Sequence, residues 1–218
     1  MTSSSSTSAT QAKVLSIIRQ RCETVLQAGT SEPGFGWQQA ASCRLGDVQV
    51  SGVDLAEDDE EDTAPRKGAQ ALTTVELEVD DGMCNLSGNA VSIIAILCNV
   101  LLTIRGTAQT SIVFLQHGGF LAWLIDHCSS LSLIALAGHG RWATSGVSTN
   151  LTVNYISAAP SGTPLKVVTR VLQQSKTSSL LETRVEHAET GRLVAFGTHV
   201  KQDTPSLMIK WPKGSAKL

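Results

Sequence analysis

Several features are missing from this 218-residue chain. Its five cysteines, Cys22, Cys43, Cys84, Cys98 and Cys128, are odd in number and have no paired metal-ligand spacing, so they read as reduced, buried small hydrophobes of an intracellular protein. No metal site is expected. A formal net charge of -2 excludes the broad basic face that a nucleic-acid partner requires. The apolar run from Val91 ends at Ile104, short of the roughly 18 to 20 residues needed to cross a bilayer, so no membrane span is expected. No secretory signal follows the low-complexity opening MTSSSSTSAT (residues 1–10), which is expected to be disordered. The cytoplasm is therefore the expected compartment. The Arg-containing, acid-poor stretch that comes next admits a mitochondrial one.

What is present suffices for one core, since 42% of the chain is hydrophobic. From Gln11 to Ala28, Val14, Ile17, Ile18, Val25 and Leu26 recur at helical spacing, which predicts an amphipathic helix docked on the domain. Cys43–Val53 and Thr73–Val79 alternate as paired strands. The acidic run Glu57–Asp62 between them reads as a solvated loop within residues 54–70. The stretch from His117 to Leu136 is an almost wholly apolar helix. It is followed by a Gly138-His139-Gly140 stop and four β-rich segments, Gly146–Ile156, Leu165–Gln173, Ser178–His187 and Leu193–Lys201. Six strands and one long helix predict an α+β domain over residues 11–203, an antiparallel sheet wrapped around the helix, with a tail at 204–218.

The central helix carries the chemistry. Gly118 and Gly119 stand where a helix leaves its first amides without partners, a natural anion site. Asp126 is the one carboxylate on an apolar helix, and an unpaired Asp in such a place is either satisfied by neighbours such as Ser129 and Ser130 or used. Eight residues at 1.5 Å rise put Gly118 and Asp126 about 12 Å apart, too far to serve one small substrate from one helix. A second, antiparallel copy solves this, with the Gly118 end of one helix facing Asp126 of the other. A homodimer, or a homotetramer built from dimers, is expected. His127, His139, His187 and His199 show no mutual spacing that suggests a ligand set.

The blocks HGGFLAWLID (His117–Asp126), GVSTNLTVNYISAAP (Gly146–Pro160), SKT (Ser175–Thr177) and TGRLVAFGTH (Thr190–His199) resemble the hotdog-fold acyl-CoA thioesterases of the phenylacetate-pathway type, which include the small eukaryotic enzymes. The resemblance implies a hotdog fold and an acyl-CoA substrate, with coenzyme A as part of that substrate and no separate cofactor. It implies that the Gly118 N–H stabilises the oxyanion and that Asp126 of the facing subunit acts as general base or nucleophile. Asn85 would orient the thioester or the water, and Ser148 would hydrogen-bond near the Asp126 carboxylate. His117, at the helix start, is a candidate base or a residue that positions the turn. Lys176 and Arg192 are the candidates for the phosphates of coenzyme A. Two alternatives stay open: a non-catalytic acyl-CoA-binding protein, and a hotdog dehydratase or hydratase.

One stretch fits neither the family pattern nor the surrounding logic. Excising Val91–Gln116 joins MCNLSGNA to HGGFLAWLID and restores an Asn six positions before the His. Val-Ser is what an in-frame GTAAGT or GTGAGT splice donor encodes, and the CAG that ends an intron encodes Gln. A retained intron is expected, against a genuine insertion.

Overall fold

The computed structural model describes residues 3–28, 36–57, 62–85, 115–116, 118–138, 142 and 145–204. Helix α1 (Ser3–Ala28) begins at Ser3, so a helix stands where a disordered opening was expected. Val14, Ile18, Cys22 and Leu26, spaced by four, form its buried stripe. A short α2 (Trp37–Ser42) follows, then strands β1 (Arg44–Leu55) and β2 (Thr63–Glu78), a 3-10 turn (Asp81–Met83), β3 (Cys84–Asn85), β4 (Leu115–Gln116), the central helix α3 (Gly118–Ile134), and β5 (Val147–Tyr155), β6 (Pro164–Gln174), β7 (Ser178–His187) and β8 (Leu193–Gln202). The last four strands match the expected segments to within a residue at every end. Among the described residues no helix is long and apolar enough to cross a membrane.

All pairings in the main sheet are antiparallel, in the order β1-β2-β6-β7-β8-β5. Helix α3 lies on one face. Leu124, Ile125, Cys128 and Leu131 pack against Val75, Val167, Val185 and Ala195, all of them buried. Alternation decides which strand residues reach it: on β6, Leu165, Val167 and Thr169 point to the helix, while Lys166 and Val168 are partly exposed. A short polar thread ties helix to sheet, since Ser132 Oγ donates to the Thr169 carbonyl (3.0 Å) and shares a 2.6 Å hydrogen bond with Thr73 Oγ1. Such buried hydroxyls are tolerated because each is satisfied.

The first hairpin departs from expectation. Strands β1 and β2 run through most of residues 54–70, with Val53, Asp54 and Leu55 paired to Pro65, Ala64 and Thr63, so the connection shrinks to 56–62. Pro65 and Gly68 read as loop residues, yet β1 is an edge strand and the register shift between Ser51 and Val53, opposite Pro65 to Gln70, accommodates them. Nor is Asp62 merely solvated. Its Oδ1 accepts from Nη2 of the fully buried Arg21 at 2.6 Å, while Arg21 Nη1 donates to Thr63 Oγ1 and the Ala137 carbonyl. The hairpin end, α1 and the end of α3 are thereby pinned together.

Candidate active site

The register of β8 builds the site. Gly197, His199 and Lys201 alternate onto the helix-facing side, and Gly197 lets α3 approach because a Cβ there would crowd Ile125 and the Thr152 carbonyl. This close approach carries His199 and Lys201 under Asp126, while Ser148 reaches it from β5. Three groups converge on one oxygen of the carboxylate: Ser148 Oγ at 3.4 Å, His199 Nε2 at 3.6 Å and Lys201 Nζ at 3.8 Å from Asp126 Oδ1. Among the described residues none bonds Oδ2. The Asp126 side chain is 47% exposed, so the carboxylate expected inside the core instead faces outward at its rim.

Ser129 Oγ donates to the Asp126 carbonyl (2.9 Å) and shares a 2.7 Å hydrogen bond with His199 Nδ1, which leaves Nε2 facing Asp126. Ser130 Oγ likewise donates to the Asp126 carbonyl and receives Lys201 Nζ at 2.8 Å. Both serines thus serve the Asp126 backbone rather than its carboxylate. Burial pushes the His199 imidazole down to about 4, with Lys201 adding to the effect and Asp126 opposing it. Burial also lowers Lys201, against the pull of Asp126.

The other candidates fall as follows. Gly118 opens α3, with the ring of Tyr155 so close that an added Cβ would stand 3.4 Å from it. Asn85 sits in β3, its backbone paired with Leu115. His117 lies outside the described residues. Lys176 is exposed in the β6–β7 turn. Arg192, in the β7–β8 turn, donates to Ser157 Oγ and the Ala158 carbonyl. Those turns bracket β7, ten residues or about 33 Å long at 3.3 Å per residue, so the chain does not bring Lys176 and Arg192 together. Burial pushes the Cys22 and Cys43 thiols up to about 12 and raises Cys128 well above the usual range, whereas Cys84, expected to be buried, is only half-buried. Cys98 lies outside the described residues.

Beside the start of α3 is a cavity of about 280 Å³ lined by Gly36, Gln39, Gly82, Met83, Gly119, Phe120 and Trp123. Trp123 stacks on Phe120 (ring centroids 5.8 Å apart) and on His127 (5.0 Å). Sequence reasoning passed over His199, Lys201 and Trp123. A signal existed for the first two, since the alternation of β8 sets a His and a Lys on the face that carries Ala195 and Gly197.

The sheet-wrapped helix is the hotdog fold, and residues 116–194 match the family described as the Thioesterase superfamily. Its relatives include human acyl-coenzyme A thioesterase 13, 30% identical over 93 residues (43% of this chain, 64% of the relative), and its mouse counterpart, 35% identical over 85 residues (39% and 58%). The chain spans less than two thirds of the length of these relatives. Among solved structures, zebra fish thioesterase superfamily member 2 shares the fold at TM-score 0.53 and 19% identity, over 82% of this chain and 93% of that one. Mouse thioesterase superfamily member 2 does so at TM-score 0.50 and 19% identity, over 83% and 95%.

Proposed function

We propose that this protein hydrolyses acyl-CoA thioesters to free acid and coenzyme A at sites shared between two subunits. The observation that carries the reading is the Asp126 carboxylate, with one oxygen approached by Ser148, His199 and Lys201 and the other without a bond among the described residues, on a helix whose first residue is Gly118. Asp126 takes a proton from water, or attacks directly. The oxygen that bonds to the thioester carbon drives negative charge onto the carbonyl oxygen, where the Gly118 N–H and the positive helix end stabilise it. Collapse breaks the C–S bond, and coenzyme A leaves as the thiolate. Where water attacked, the thiolate takes up the proton that Asp126 had accepted. Where Asp126 attacked, water then hydrolyses the acyl–Asp126 anhydride, releasing the acid and regenerating the carboxylate. Asn85 would orient the thioester or the water, and His117 the turn. No cofactor takes part.

Strand β5 supports the shared site. It is an edge strand, and Val147 and Tyr155 are 42% and 56% exposed, an outer edge suited to pairing with another copy. An antiparallel pairing of β5 with itself, centred between Leu151 and Thr152, sets Ser148 opposite the partner subunit's Tyr155. Ser148 touches Asp126 and Tyr155 lies against Gly118, so this register faces Asp126 with the partner subunit's Gly118. It also turns the Lys176 end of one subunit toward the Arg192 end of the other, where both reach one coenzyme A. This geometry makes the dimer the unit of activity; a tetramer of two such dimers keeps the same sites.

Thiol release from acyl-CoA, followed with a thiol-reactive dye, tests the reading. Asp126→Asn should fold and bind but lose on the order of 10² or more in kcat. Wild-type turnover by folded Asp126→Asn removes Asp126 from the mechanism, and binding without thiol release by the natural chain leaves a non-catalytic acyl-CoA-binding protein.

A further inference from the structure

We infer that the cavity at the start of α3 receives the acyl group and that Trp123 closes its far end, which restricts the enzyme to short acyl chains. The inference rests on the proposed role of Gly118 in holding the thioester carbonyl. Gly119, the next residue, lines the cavity, so an acyl chain leaving that carbonyl enters between Phe120 and Met83. Trp123 lies five residues beyond Gly118, about 7.5 Å along the helix at 1.5 Å per residue. An extended chain advancing about 1.3 Å per carbon reaches the indole after roughly six carbons.

Volume points the same way. A cavity of about 150 Å³ binds benzene, so the half-open 280 Å³ here accepts a short chain.

The wall is also fixed. Phe120, one turn before, and His127, one turn after, stack on the indole at 5.8 and 5.0 Å, with interplanar angles of 29° and 11°. Its Nε1 edge presses on Gly36, where a Cβ would overlap the ring, and Gly36 holds a left-handed φ of 78° at the start of α2. For Trp123 to swing aside, both stacks must break and α2 must move, so a longer chain meets a wall and not a door.

The test is the chain-length profile of kcat/KM for straight-chain thioesters from acetyl- to palmitoyl-CoA, read by thiol release. A methylene buried in an apolar pocket is worth about fourfold, so kcat/KM should climb by about that factor per carbon and break near roughly six carbons. Trp123→Ala should move the break to longer chains and raise the decanoyl-to-hexanoyl ratio at least about tenfold. A wild-type profile that climbs unbroken to palmitoyl-CoA overturns the inference, as does a folded Trp123→Ala with an unchanged break. If circular dichroism shows Trp123→Ala unfolded, Trp123→Phe, which keeps a ring in both stacks, should shift the break less but in the same direction, and no shift overturns it. Calorimetry with non-hydrolysable thioether analogues separates the two claims. A length break in affinity with no thiol release removes hydrolysis and leaves the pocket, whereas release without any break removes the pocket and leaves hydrolysis.

Discussion

His199 Nε2 stands 3.6 Å from Asp126 Oδ1 and makes no hydrogen bond among the described residues, in a side chain that solvent does not reach. The environment keeps the ring neutral, because charging it here means charging it out of water and near Lys201. The consequence is a pH-dependent stability. The folded value of about 4 lies below the ordinary 6.5, so between these limits the unfolded chain binds the extra proton. The stabilisation is complete above about pH 6.5 and is lost as pH falls toward 4. Its size should exceed the roughly 1.4 kcal/mol that corresponds to one unit. His199→Asn keeps a hydrogen-bond partner for Ser129 and removes the titration, so its melting temperature should fall less over this window. Parallel pH profiles for the two proteins would contradict the assignment.

Complementation reads the shared site directly. Gly118 is the first residue of α3, where proline fits and removes only an N–H that the helix does not use. Gly118→Pro should keep its fold and lose about 10² to 10³ in kcat, the effect of one oxyanion donor. Mixing it with Asp126→Asn under subunit exchange should restore activity. A hybrid dimer has one site with both groups intact, and random pairing makes about half the dimers hybrids, giving roughly a quarter of wild-type activity. Light scattering should show a dimer or a tetramer. An active monomer, or a mixture no better than its components, would mean that each chain works alone.

Arg21 and Asp62 are joined at 2.6 Å with Arg21 wholly buried, so they should behave as a unit. Asp62→Ala strands a buried cation and should cost about 3 to 5 kcal/mol. Arg21→Met combined with Asp62→Ala should cost less than Asp62→Ala alone, since an apolar side chain of similar length refills the space. Urea unfolding of the single and double variants measures the coupling. Strict additivity would show that the contact contributes nothing.

These residues also show where the sequence was readable. Periodicity exposed β6 to β8 and the stripe of α1, because a buried face leaves its period in the chain whatever the partner, while α3 stood out as an apolar run and β5 as a stretch rich in β-branched residues. Asp126 stood out as the one carboxylate on an apolar helix, although its side chain lies at the rim and not inside the buried face. Pairings across the fold leave no such period. Nothing near Arg21 marks it as buried, because Asp62, its partner, is 41 positions away on a turn that looked merely acidic. His199 escaped for the same reason, since its meaning depends on Gly197 drawing β8 close to α3. The extent of β2 was hidden by Pro65 and Gly68, whose local preferences yield to pairing at an irregular edge.

The last prediction concerns residues 91–116. Strands β3 and β4 pair Cys84 with Gln116 and Asn85 with Leu115, so the chain leaves and returns at one place. Paired antiparallel residues are about 5 Å apart, and three steps of up to 3.6 Å lead from Leu115 to Gly118, so Gly118 lies within about 16 Å of Asn85. With Val91–Gln116 excised, seven steps at about 3.3 Å connect the same two residues and reach about 23 Å, so the deletion can close without moving α3. Loop closure over the longer connection costs only about 1 to 2 kcal/mol, so the full chain can fold as well. Activity is less tolerant, because displacing a positioning group such as Asn85 by about 1 Å can cost on the order of 10²-fold. The run IIAILCNVLL also invites association wherever it meets water. The shortened chain should therefore be more soluble and hydrolyse acyl-CoA faster, and mature message should lack the codons for Val91–Gln116. An uninterrupted reading of that segment in mature message would establish it as native. Equal solubility and turnover in both chains would show that the domain accommodates it, and a shortened chain that cannot fold would show that the core needs it.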